Sequence, residues 1–92
     1  IPYRYEYPLT LMNGVTIYPD FTVLNVKKKK EIIWEHMGMM DSGEYAEKAV
    51  RKIRSLQKAG YFPGERLILT FETKNEPLDT KELERIVECY LL

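Results

Sequence analysis

The chain has 92 residues, enough for one domain with a thin core. Fourteen basic and fourteen acidic side chains cancel. That excludes a dedicated polyanion binder with a basic excess, but not a metal-dependent enzyme, whose carboxylates count as negative until a cation neutralises them. No apolar run approaches the ~18 residues that a membrane span needs. Cys89 is the single cysteine and His36 the single histidine, so neither an internal disulfide nor a Cys/His zinc cluster can form, and a reducing, cytoplasmic setting is expected.

Residues 3–11 are aromatic-rich and partly alternating, which predicts a strand. Asn13-Gly14 predicts a two-residue type I′ hairpin turn, because that turn needs positive φ at both central positions. Residues 15–24 form the second predicted strand and residues 31–37 the third, around a polar turn with Lys27-Lys28 at its tip. The three make an antiparallel meander. The aromatic stripe Tyr3, Tyr5 and Tyr7 reads as core more readily than as a base-stacking platform. Glu6 falls opposite Phe21 if the two-residue turn forms.

The hydrophobic period then lengthens. Asp41 and Glu44 have capping-box spacing, Ala46, Ala49, Val50, Ile53 and Leu56 make a helical stripe, and Gly60 suits the C-cap. Residues 66–72 (RLILTFE) predict a buried fourth strand, and residues 80–92 predict a second helix with Asp79 as N-cap. The order is βββαβα, an α/β (α+β) domain with a mixed sheet flanked by helices. Residues 1–92 form a single domain. Apolar residues on both faces of the meander predict an exposed apolar patch or a homodimer.

The second hairpin also carries the candidate chemistry. With Lys27-Lys28 at the tip, Asp20 lies opposite Glu35, and directly opposed residues share a sheet face with Cβ atoms roughly 4.5–5.5 Å apart. Two carboxylates so placed repel unless a proton or cation sits between them. Both interrupt apolar strands, where a hard cation would offset the cost of burial. Two carboxylates on a solvated sheet edge meet the same spacing. Alternation sends His36 to the opposite face from Glu35, and Thr70 and Glu72 share one face of the fourth strand, at the border of the site or in structural roles.

Pro19-Asp20, a hairpin, then an apolar strand with Glu35 resembles the PD-(D/E)xK nuclease superfamily, the restriction-endonuclease-like fold. The resemblance extends over YRYEYPL (from Tyr3), YPDF (from Tyr18), IIWEHMGMMD (from Ile32), Tyr45, Lys52, Gly60 and LILTFE (from Leu67), nearly the whole chain. It implies metal-dependent hydrolysis of DNA phosphodiesters, with Asp20 and Glu35 as ligands of Mg²⁺ or Mn²⁺. It also implies a first helix absent here, hence an N-terminally truncated fragment of a bacterial or phage protein, with helicase or other domains as further partners. The superfamily's lysine, two residues after the second acid, is replaced by Met37, and some similar members supply it from the following helix. Lys52 lies about 100° from the centre of the helical stripe and Lys48 about 140°, so Lys52 is the assisting cation, or else a solvated flank lysine. The alternative function is a non-catalytic nucleic-acid-binding or dimerisation module that retains the nuclease fold.

Overall fold

A computed structural model describes residues 2–91. The elements are β1 (Tyr3–Tyr5), β2 (Leu9–Thr10), β3 (Thr16–Ile17), β4 (Phe21–Asn25), β5 (Lys30–Met37), α1 (Gly43–Lys58), β6 (Leu67–Phe71) and α2 (Thr80–Leu91). The predicted end of the second helix at Leu92 lies outside the described residues. A four-stranded sheet has the order β1-β4-β5-β6, antiparallel except for the parallel β5–β6 pair. A separate two-stranded ribbon joins β2 and β3. The domain is thus a mixed α/β structure.

The two long N-terminal strands of the expectation are each broken in two. The first breaks at residues 6–8, where Glu6 has φ +48° and Pro8 lacks a donor, and the second at residues 18–20 around Pro19. The turn between them also differs. Leu11 and Val15 flank a three-residue loop, with the Gly14 N–H bonded to the Leu11 carbonyl at 2.9 Å. Gly14 alone in this loop has positive φ, +84°, while the Asn13 side chain accepts the Val15 N–H at 3.0 Å. A three-residue loop ending in a left-handed glycine moves the register by one residue, and each one-residue shift exchanges the faces of a strand. Tyr5 therefore pairs with Phe21, and Glu6 falls opposite Asp20, its N–H 3.0 Å from the Asp20 carbonyl. Phe21 lies on the face of Tyr3 and Tyr5, with ring centroids 5.9 and 5.4 Å away. Tyr3 and Tyr5 on the edge strand and Tyr7 just beyond it are at least half exposed and are not core.

The second hairpin keeps its expected register, with Phe21 opposite Trp34 and Asn25 opposite Lys30. Buried Asn25 anchors it: its Nδ2 donates to the Tyr90 carbonyl at 2.9 Å and its Oδ1 accepts the Lys28 N–H at 3.1 Å. The helices cover opposite faces. Val23, Ile32 and Ile68 pack with Leu91 of α2, while Ile33 and Leu67 pack with Leu56 of α1. β6 is buried through Leu67, Ile68 and Thr70, as its uninterrupted apolar run predicts.

The helix ends are decided by local chemistry. α1 starts after Ser42 with no side-chain cap, so the Asp41–Glu44 box does not form. Its other end is a Schellman turn: Tyr61 N–H reaches the Leu56 carbonyl and Gly60 N–H the Gln57 carbonyl, both at 3.0 Å, with Gly60 at φ +95°. Asp79 Oδ1 accepts the Glu82 N–H at 2.8 Å and caps α2.

Candidate functional site

Strand alternation puts Ile33, Glu35 and Met37 of β5 on the α1 face, and all three are buried. Burying Ile33 and Met37 contributes about 1.5–3 kcal/mol each, enough to carry Glu35 inside once its charge has a partner. The Glu35 side chain is 1% exposed. Lys52, reaching in from α1, places its Nζ 2.9 Å from Glu35 Oε2. The same ammonium donates to the Tyr18 carbonyl at 3.1 Å. Pro19 interrupts the ladder at this point, so the Tyr18 carbonyl lies outside any strand and is open to Lys52.

Asp20 closes the cluster through the backbone. Its own N–H donates to Glu35 Oε1 at 3.2 Å, and its Oδ2 accepts the His36 N–H at 2.7 Å. Among the described residues Asp20 Oδ1 makes no hydrogen bond. Asp20, Glu35 and Lys52, the three residues singled out in the sequence, thus meet at one place. The solvated-edge alternative fails for Glu35, which is buried, and the solvated-flank alternative fails for Lys52, which is ion-paired. Burial pushes the Glu35 carboxyl above its ordinary range, against the lowering effect of Lys52, and the Asp20 charge adds to the rise. One lysine does not fully compensate two carboxylates in a dry setting.

The donor set suits a hard cation. Mg²⁺ takes oxygen ligands, commonly one or two carboxylates, and keeps several waters. Asp20 and Glu35 supply two carboxylates on one face. Among the described residues no group of three or more His, Cys, Asp or Glu side chains gathers to hold a metal ion, so the protein part of such a site is limited to this pair and nearby carbonyls. Met37 is buried, 3% exposed. Tyr45, also on α1, fixes the strand end: its hydroxyl accepts the Gly38 N–H at 3.1 Å and lies 3.5 Å from the His36 carbonyl.

A second polar cluster occupies the α2 face. His36 Nδ1 lies 2.8 Å from Thr70 Oγ1, His36 Nε2 lies 2.9 Å from Glu72 Oε1, and Trp34 Nε1 donates to Thr70 Oγ1 at 3.1 Å. Glu72 Oε2 also accepts the Leu78 N–H at 2.9 Å. Thr70 and Glu72 consequently do not border the Asp20–Glu35 site; they are on the other side of the sheet, with His36. Sequence reasoning missed the Tyr18 carbonyl and the His36 amide as partners, and the lack of a donor at Pro19 is the one signal that pointed to the first. No helix among the described residues is long and apolar enough to cross a membrane. Comparison with known proteins finds no matching family model, no similar curated protein and no similar solved structure.

Proposed function

We propose that the Asp20–Glu35–Lys52 cluster is the centre of a divalent-metal-dependent phosphodiesterase acting on DNA, on a domain of the restriction-endonuclease-like type. The observation that carries this reading is the Glu35 carboxylate, 1% exposed yet set beside a second carboxylate and a single lysine at 2.9 Å. A buried carboxylate beside a half-buried one, with a single lysine between them and neutrality, has a specific use for a cation. Asp20 and Glu35 would hold Mg²⁺ or Mn²⁺, which when bound would supply Lewis acidity and a water of lowered pKa. Hydrolysis adds water across a P–O bond, and the charge that grows on the phosphoryl oxygens meets the Lys52 ammonium, which has donors beyond those given to Glu35 and Tyr18.

Two measurements test this. Calorimetry should show Mg²⁺ binding that weakens as pH falls into the carboxylate range, because a proton and the cation compete for Glu35. Asp20→Ala and Glu35→Ala should each abolish both Mg²⁺ binding and plasmid nicking. Nicking by Asp20→Ala equal to wild type removes the proposal.

A second reading has its own observation. Lys52 already bonds both Glu35 and Tyr18, so the cluster is closed without a metal. On that reading the domain is a non-catalytic nucleic-acid-binding or dimerisation module. Unchanged stability in saturating Mg²⁺, with no nicking by wild type, selects it.

A further inference from the structure

Zero net charge conceals a separation of charge between the two helices. α1 carries Lys48, Arg51, Lys52, Arg54 and Lys58 against Glu44 and Glu47. Residues 72–91, which include α2, carry six acids against three bases, and the remainder of the chain is balanced. α1 and α2 pack on opposite faces of the sheet, so the basic helix covers one face and a mildly acidic helix, with Glu82, Glu84 and Glu88 against Lys81 and Arg85, covers the other. The Asp20–Glu35–Lys52 cluster lies on the face that α1 covers.

The basic residues of α1 are also ordered. Lys48, Arg51, Ser55 and Lys58 recur at helical spacing. Measured around the axis, this stripe begins about 40° from Lys52, on the side away from the buried residues Ala49 and Leu56. Lys52 therefore stands at the border between the stripe and the core, reaching inward while Lys48, Arg51 and Lys58 remain exposed. Arg51 has one weak partner, Glu47 at 4.0 Å, and both side chains are largely in solvent. The stripe runs ten residues, about 15 Å at 1.5 Å per residue. That equals the rise of about four to five base pairs at 3.4 Å each.

We infer that this α1 stripe is a backbone rail for duplex DNA: Lys48, Arg51 and Lys58 neutralise successive phosphates of one strand and lead it past Lys52. The choice of DNA as the polyanion rests on the hydrolase reading; the charged rail itself does not. Lys48 is thereby a binding residue and no part of the chemistry, as its outward position on the helix requires. The mildly acidic α2 disfavours the same ligand on the other side of the domain.

The test is equilibrium binding of a short fluorescein-labelled duplex to the full chain in EDTA, followed by anisotropy as salt is raised. Lys48→Gln, Arg51→Gln and Lys58→Gln should each flatten the slope of log K against log salt by about 0.9. The triple variant, with an unchanged circular dichroism spectrum, should lose on the order of tenfold or more in affinity at fixed salt. Lys81→Gln with Arg85→Gln, on α2, should leave the slope unchanged. A triple variant that binds as wild type overturns the inference. So does an equal loss in the α2 control, or binding to phosphatidylserine vesicles without binding to the duplex. Nicking in Mg²⁺ is read separately. Binding that follows the α1 charges without nicking sustains the rail and removes the hydrolase. Nicking with a KM unmoved in the triple variant removes the rail and leaves the hydrolase.

Discussion

Glu35 and His36 are consecutive residues of β5, yet they organise polar clusters on opposite faces of one sheet, and the surroundings treat the two in opposite ways. On the α1 face, Glu35 is buried, faces Asp20, and is pushed above the ordinary carboxylate range by desolvation. On the α2 face, Glu72 is about one-third exposed and lies below that range, held first by the Leu78 N–H and then by His36. Every polar atom of the His36, Thr70 and Trp34 side chains there has a protein partner. A cluster that satisfies itself stabilises the fold. A cluster that sets a buried carboxylate beside a second one costs stability, and that cost is what the proposed cation would offset.

The comparison is broken or sharpened most by Lys52. Lys52→Ala should leave Mg²⁺ binding intact and slow nicking on the order of 10²-fold or more, if the ammonium stabilises the transition state. Lys52→Met should lower the unfolding free energy by about 3 kcal/mol at about pH 8, since removing one partner strands a buried charge. At the acid end of the carboxylate range the same variant should lose much less, because protonating Glu35 removes the stranded charge. Urea titrations at the two pH values check both figures. Equal losses at both pH values would show that Lys52 contributes by packing and not by charge.

The other face should respond differently. Thr70→Val leaves the half-buried Trp34 N–H and His36 without their hydroxyl partner, at a cost of about 1–3 kcal/mol. It should change neither Mg²⁺ binding nor nicking. A Thr70→Val variant that folds normally but fails to bind Mg²⁺ would make the two clusters one site.

The smallest expected effect is in the pH dependence of wild-type stability, where the two glutamates have opposite signs. Glu35 has a raised folded pKa, so its contribution is fully present below the ordinary carboxylate value and is lost as pH rises through the folded value. Glu72 has a lowered folded pKa, so its contribution is present above the ordinary value and is lost as pH falls through the folded one. Thermal unfolding should therefore show a fall on the alkaline side of the carboxylate range that Glu35→Gln removes. It should also show a fall on the acid side that Glu72→Gln removes. Exchanged assignments would reverse the comparison.

Local rules in the sequence already specify the second hairpin, its register, a buried fourth strand and the two helices, while the parallel pairing of that strand with β5 is a feature of the fold. The rules are a polar tip at Lys27-Lys28, alternation across β4 and β5, a 3.6-residue stripe, and caps at Gly60 and Asp79. The opposition of Asp20 and Glu35 follows from the same register, and the helical period singled out Lys52 over Lys48. The first hairpin was not legible in the same way. A two-residue and a three-residue turn at Asn13-Gly14 differ by one residue of register, and only the packing of Leu9 and Ile17 beneath α1 selects between them. That one residue brought Glu6 opposite Asp20 and moved Phe21 beside Tyr3 and Tyr5. Tertiary structure alone decided that the helices take opposite faces. It thereby sent Thr70 and Glu72 to His36 and not to Glu35, and set the basic helix α1 and the mildly acidic helix α2 on opposite sides of the sheet. The physical reason is range: turns, caps and periodicity act over a few residues, whereas burial of Glu35 and its contact with Lys52 depend on which surface α1 covers after the chain has crossed the sheet.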